Sequence, residues 1–284
     1  MRQVRADRRL PAPGRLVDAG GLAWHVEEAG SGPDLVLLHG YLGSTATWKP
    51  AWDLLATRFH VMAADLPGAG YSARPADAPY DPPWLAEQLD VFLKAVGASK
   101  PVVGGHSLGA AVATWWVHAH PQSASGLLLV SPLAYRQEPP PGLRIAKRFP
   151  GVMGAFFSSF VGRAVIPLLV RRAAFAGQEM RATVHARRLL EHLDAPGGWT
   201  AATRMGLAAN ERAPDAAQLG SVAVPTLVVW GESDVVHHPR FGPRILADLR
   251  CRKRLAVLQD AGHNCHEERP EEFAREVCAW FGQV

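Results

Sequence analysis

Short apolar runs separated by turns and by longer helical stretches dominate the chain, and this alternation constrains the fold more than any other feature. Asp34 to Leu38, Phe59 to Ala64, Pro101 to Val103, Gly126 to Val130, Pro225 to Trp230 and Arg254 to Leu258 read as buried strands, each too short for a helix. Between them, Trp48 to Thr57, Pro83 to Val96, Leu108 to His118 and Pro239 to Leu249 have helical character. Strands alternating with helices predict an α/β fold, a mostly parallel, doubly wound sheet covered on both faces. Ahead of this pattern, Leu16 to Asp18 and Leu22 to Glu28 flank Ala19-Gly20-Gly21. The glycines supply positive φ for a tight turn, so an N-terminal antiparallel hairpin is expected at one edge.

After Val130 the rhythm stops until Val222. From roughly Leu133 to Ala213, Pro139-Pro140-Pro141 leads into Arg-rich and Ala-rich helical sequence without a clear strand. A helical insertion accounts for this better than a loop of that length. The expected organisation is a basic, flexible leader over residues 1–14, an α/β core over 15–132 and 214–284, and a helical cap over 133–213. The most apolar part, Gly151 to Val170, is interrupted by Arg163 and Pro167 and diluted by Gly151, Gly154 and Gly162. It reads as lid helices rather than a membrane span. Its cluster of Phe156, Phe157 and Phe160 suits an apolar substrate pocket.

Composition removes several function classes. With 48% hydrophobic and 20% charged residues among 284, the chain can bury a core, so disorder is excluded. The net charge of +4 sits in the leader, where Arg2, Arg5, Arg8, Arg9 and Arg15 face only Asp7. The remainder is formally neutral and offers no basic face for nucleic acid. Cys251, Cys265 and Cys278 are odd in number and lack CxxC spacing, which indicates neither a disulfide framework nor a zinc site. No apolar run follows the basic leader, so the cytoplasm is the expected location and no stable membrane insertion is expected. Neither a metal nor a cofactor is implied, and the expected partner is a small-molecule substrate.

Gly105-His106-Ser107-Leu108-Gly109 fits G-x-S-x-G at the point where a strand should turn into a helix. Such a turn is so tight that small residues must flank the serine, whose hydroxyl is then held strained above the carboxyl end of the sheet. A serine is a weak nucleophile until a base takes its proton, and that base needs an acid to fix its tautomer. Downstream, Glu232-Ser233-Asp234 follows one strand and Asp260-Ala261-Gly262-His263 follows the last. Asp234 is the expected orienting acid, with Glu232 and Asp260 as competitors. His263 is the expected base, with His266 as its competitor. The order Ser, Asp, His is the one this fold uses. An oxyanion needs two backbone N–H donors, expected from Leu108 and from Tyr41 in Leu37-Leu38-His39-Gly40-Tyr41. His106 joins the three phenylalanines as a pocket candidate, whereas Asp65 to Ser72 suits a turn without chemistry.

Taken in order, HGYLG, DLPGAGYS, GHSLG, the WGESD segment and GHNCHEERPEEF resemble the α/β-hydrolase superfamily with a cap domain, over roughly residues 16–284. The resemblance implies a serine hydrolase, most simply a carboxylic-ester hydrolase acting through an acyl-enzyme. Haloalkane dehalogenases and epoxide hydrolases of that superfamily place Asp where this chain has Ser107. Epoxide hydrolases also use a pair of cap tyrosines, while only Tyr135 lies near this insertion. Carbon–carbon hydrolases typically follow HG with small residues and the catalytic His with Trp, positions held here by Tyr41 and Asn264. Perhydrolases, also called cofactor-free haloperoxidases, share the triad. A non-catalytic ligand receptor on the same fold is the reading from a different class.

Overall fold

The computed structural model describes residues 13–136, 175–176 and 179–282, with isolated positions between 159 and 172. Its strands are β1 (Arg15–Ala19), β2 (Leu22–Ala29), β3 (Asp34–Leu38), β4 (His60–Ala64), β5 (Val102–His106), β6 (Gly126–Val130), β7 (Thr226–Gly231) and β8 (Lys253–Leu258). They form one eight-stranded sheet in the order β1-β2-β4-β3-β5-β6-β7-β8. The first two strands make the expected hairpin, with Val17 opposite Trp24 and Ala19 opposite Leu22. Gly20 and Gly21 take φ of 66° and 88°, and Gly21 N–H donates to Asp18 Oδ1 at 2.8 Å. From β4 to β8 every pairing is parallel, which is why β3, β5, β6 and β7 are apolar along almost their whole length.

The described helices are α1 (Lys49–Ala56), α2 (Pro82–Ala95), α3 (Leu108–Ala119), α4 (Glu179–Leu193), α5 (Gly198–Ala208), α6 (Ala216–Gly220), α7 (Gly242–Asp248), α8 (Cys265–Glu268) and α9 (Pro270–Phe281). One face of the sheet is covered by α2, α3 and α7, where Trp24 stacks on Phe92 with ring centroids 4.7 Å apart. The other face is covered by α1 and α9 through Trp52, Phe273 and Phe281, with Trp48 just ahead of α1. Among the described residues no helix is long and apolar enough to cross a membrane.

Some element boundaries differ from the sequence expectation. The strand expected to end near Val103 runs on to His106, because Gly104 and Gly105 stay in register with Leu128 and Leu129. The helix expected from Pro239 splits into a 3₁₀ turn, Pro239–Phe241, and α7. The last helix is preceded by the short α8, since Arg269 before Pro270 is driven out of helical geometry to φ −128°, ψ 58°.

The sheet order places β3 beside β5, although β4 lies between them in sequence. Connections therefore leave in opposite directions at this point and open a crevice at the carboxyl ends of the strands, where ligands bind in open α/β sheets.

Candidate active site

The strand–helix turn at β5 is fixed by close packing. A Cβ on Gly105 would fall 2.1 Å from the carbonyl carbon of Gly109, and one on Gly109 would fall 2.4 Å from Leu38 O. Only hydrogen fits at both positions, so α3 approaches the sheet at this spacing and Ser107 must bridge the turn. It does so at φ 52°, ψ −111°, a region that costs a non-glycine residue about 1–3 kcal/mol. The surroundings hold it there: Ser107 N–H donates to Val130 O at 2.9 Å, and Ser107 O accepts from Leu133 N–H at 3.1 Å.

Asp234 and His263 meet beside this turn. His263 Nδ1 lies 2.9 Å from Asp234 Oδ2, and both residues are buried. Trp230 Nε1 also donates to Oδ2 at 3.1 Å, while Oδ1 accepts from the N–H groups of Val236 and His237 at 2.8 and 2.9 Å. Burial alone would raise the Asp234 carboxyl, but the His263 hydrogen bond and charge, with the His237 N–H, outweigh it and hold it below the usual carboxylate range. An ionised Asp234 requires His263 to carry its proton on Nδ1, which turns Nε2 outward as an acceptor. The competing acids are elsewhere: Glu232 is exposed, and Asp260 is an exposed partner of Arg269 at 2.8 Å. His266 is fully buried on α8, packed on Trp48 and His106 with centroids 4.4 and 4.7 Å away, and has no hydrogen bond to Asp234. Among the described residues the Ser107 hydroxyl makes no capping bond to α3.

The loop after β3 abuts the same turn. A Cβ on Gly40 would fall 2.6 Å from His106 Nδ1 and 3.2 Å from Ser107 Cβ, which brings the Tyr41 backbone to the serine. His39 shapes this loop as a neutral ring. Its Nε2 accepts from Leu66 N–H at 3.0 Å, so its Nδ1 donates to Gly40 O at 2.7 Å, and burial lowers its pKa. Among the described residues neither Tyr41 N–H nor Leu108 N–H donates to a protein acceptor. The Tyr41 hydroxyl reaches the segment between β6 and β7, donating to Ala202 O at 3.0 Å, and burial of that end pushes the phenol up to about 12.

The sequence pattern of the alpha/beta hydrolase fold family matches residues 33–270. The chain belongs to the α/β-hydrolase family. As such a hydrolase it is 30% identical over 254 residues to pimeloyl-[acyl-carrier protein] methyl ester esterase of Aeromonas hydrophila, a match covering 87% of this chain and 95% of the relative. It is 31% identical over 261 residues to the esterase of the same name from Edwardsiella ictaluri, covering 90% and 96%. A thermophilic esterase from Thermogutta terrifontis superposes with a TM-score of 0.79 at 24% identity, over 96% of this chain and 99% of that one. A serine hydrolase of carbazole degradation gives 0.79 at 24% identity, over 95% and 98%.

Several residues of this α/β hydrolase that surround the site were not singled out from sequence. Trp230, an aromatic in an otherwise aliphatic strand directly before the acid turn, carried a signal. His237, in an adjacent His237-His238 pair, has its ring 5.1 Å from that of His263. Burial drives His237 down to about 3, and the nearby His263 charge adds to this. On the opposite side the pocket candidate His106, which the sequence did single out, is buried, its ring 4.6 Å from that of His263 and its Nε2 2.9 Å from His263 O. Burial, with the His263 and His266 rings beside it, lowers His106 well below the ordinary range. Phe156, Phe157 and Phe160 lie outside the described residues. Clefts open to solvent flank the Tyr41–Gly43 turn. One is lined by Thr47, His185, Arg188, His192 and Glu267, and another by Gly68, Ala69, Leu193, Ala202 and Met205. Among the described residues no group of His, Cys, Asp and Glu could hold a metal ion.

Proposed function

We propose that this hydrolase cleaves a carboxylic ester of a small, largely apolar substrate through an acyl-enzyme on Ser107. The observation that carries this reading is the buried Asp234–His263 pair, bonded at 2.9 Å beside a serine held at positive φ. Ser107 Oγ attacks the acyl carbon while His263 Nε2 takes its proton, and the carbonyl oxygen becomes an oxyanion. The N–H groups of Tyr41 and Leu108, which meet no acceptor among the described residues, receive that oxyanion. Collapse breaks the ester C–O bond, and His263 returns the proton to the departing alcohol. Water then attacks the acyl-enzyme with His263 again as base, releasing the acid and restoring Ser107. Asp234 stays ionised throughout and stabilises the imidazolium. His106 and His237 remain neutral beside it, so the imidazolium faces no second buried cation.

The segment over residues 133–213 acts in this reading as the cap that shapes the substrate site. The named activity of the relatives makes a methyl ester at the end of an acyl chain the first natural-type substrate to try. The free, partly or fully buried cysteines fit a reducing compartment such as the cytoplasm. Initial rates on p-nitrophenyl esters of increasing acyl length, wild type against Ser107→Ala, test the reading. Turnover is expected to fall to background in the variant, a loss of about 10⁶-fold for a triad serine. Turnover unchanged by the substitution, or none across the series in wild type, overturns it.

A further inference from the structure

Both chain neighbours of His263 are held by carboxylates that also hold the segment between β6 and β7. Gly262 N–H donates to Glu268 Oε1 at 2.7 Å, and the other oxygen of that carboxylate accepts from Ala176 N–H at 2.7 Å. Asn264 Nδ2 donates to Glu267 Oε1 at 2.6 Å, and the same oxygen lies 3.1 Å from His185 Nδ1 on α4. Glu267 and Glu268 are consecutive on α8, both buried, and their own N–H groups donate to Asn264 O at 2.8 and 3.1 Å. The backbones also touch, since a Cβ on Gly262 would fall 3.0 Å from Ala176 N and 3.2 Å from Phe175 C. Phe175 in turn packs edge-on to His185 at 5.6 Å.

We infer that Glu268 and Glu267 are positioning residues for His263, tying the placement of its imidazole to the seating of Ala176 and α4. The inference rests on the reading of His263 as the base for Ser107. A carboxylate suits the Glu268 position because two N–H groups converge on it and it has an acceptor oxygen for each. With either arm lost, the neighbour of His263 that it holds is released, Gly262 for Glu268 or Asn264 for Glu267, and a misplacement near 1 Å costs a proton-transfer geometry about 10²-fold.

Glu268→Gln offers one acceptor and one donor, so one of the two N–H groups must lose its partner. Glu267→Leu removes the bonds of the other arm to Asn264 and His185, Glu267→Gln keeps an oxygen that can accept both, and His185→Ala cuts the link to α4, with its ring contact to Phe175, and leaves the Asn264 bond. Exposed Glu271, on α9, serves as control in Glu271→Gln. Two readouts are taken on protein whose folded fraction is measured by circular dichroism. One is the rate of fluorophosphonate labelling per folded molecule. The other is the low-field proton resonance of His263 Nδ1–H in its bond to Asp234, which needs no turnover. Glu268→Gln and Glu267→Leu are expected to slow labelling about tenfold or more, and to shift or broaden the resonance. Glu267→Gln is expected to rescue Glu267→Leu, and His185→Ala to show a smaller loss of the same kind. Wild-type labelling rates and an unmoved resonance in Glu268→Gln, Glu267→Leu and His185→Ala would overturn the inference, as would losses that only track the unfolded fraction. If wild type itself is not labelled, the reading of Ser107 fails, and the resonance alone decides the positioning role.

Discussion

Gly109 has no room for a methyl group, because a Cβ there would sit 2.4 Å from Leu38 O and no flexible side chain can yield. Gly109→Ala must therefore push α3 away from β3, an overpacking that costs about 1–3 kcal/mol. Urea unfolding should show that loss together with reduced hydrolysis, and an unchanged midpoint would contradict the packing described. The motif was legible in sequence because sterics dictate its glycines. Asp65 was legible only as a turn residue, and its partners explain why: Tyr71 N–H, 2.9 Å away, belongs to the same turn, while Thr45 and His25, each 2.7 Å away, come from distant parts of the chain. Despite its couple with His25, this is no second catalytic group, since Ser72 Oγ donates to Asp65 O. Burial opposes ionisation of Asp65, but the hydrogen bond and charge of His25 outweigh it and lower the carboxyl from 3.8 to about 2. A depressed carboxyl stabilises the fold above its unfolded value and loses that contribution as pH falls through its folded one. Wild type should thus lose about 2 kcal/mol on this account between roughly pH 5 and pH 2, and Asp65→Asn should flatten that limb of the stability curve. Parallel acid limbs in the two proteins would show that the pair does not carry the effect.

Elements were legible where burial is complete. β3, β6 and β7 read as continuous apolar runs because both faces are covered, and their limits fell within a residue or so of the expected ones. The end of β5 was missed because glycine reads as a breaker, whereas here it admits the neighbouring helix. Helical content between β6 and β7 followed from composition, and α4 and α5 supply it among the described residues. Their placement did not, since their buried residues divide, Ala201 and Met205 joining a main core while Leu189, Leu193 and Ala202 form a cluster apart from it. The hydroxyl of Tyr41 is one of the ties that fix α5 to the loop after β3. Tyr41→Phe should cost about 1 kcal/mol, the worth of an ordinary hydrogen bond, and should speed amide exchange in α5 relative to β5. Equal exchange in the two proteins would mean that α5 is held without it.

Across the whole molecule, residues separated by more than 150 positions are brought together because β5, β7 and β8 end on one edge of the parallel sheet. That convergence made Ser107, Asp234 and His263 readable as one constellation, since strand ends can be located from local pattern and the fold's topology does the rest. Glu267 and Glu268 could not be read in this way. They bond both the turn that carries His263 and the segment between β6 and β7, and nothing in local sequence says which backbone N–H groups a buried carboxylate will meet. The central claim is that Ser107 is a nucleophile activated by His263. Its most direct test is peptide mass mapping after reaction with a fluorophosphonate. The expected result is a single adduct on the peptide carrying Ser107, formed far more slowly in His263→Ala. No adduct on Ser107, or equal labelling in His263→Ala, would contradict the account.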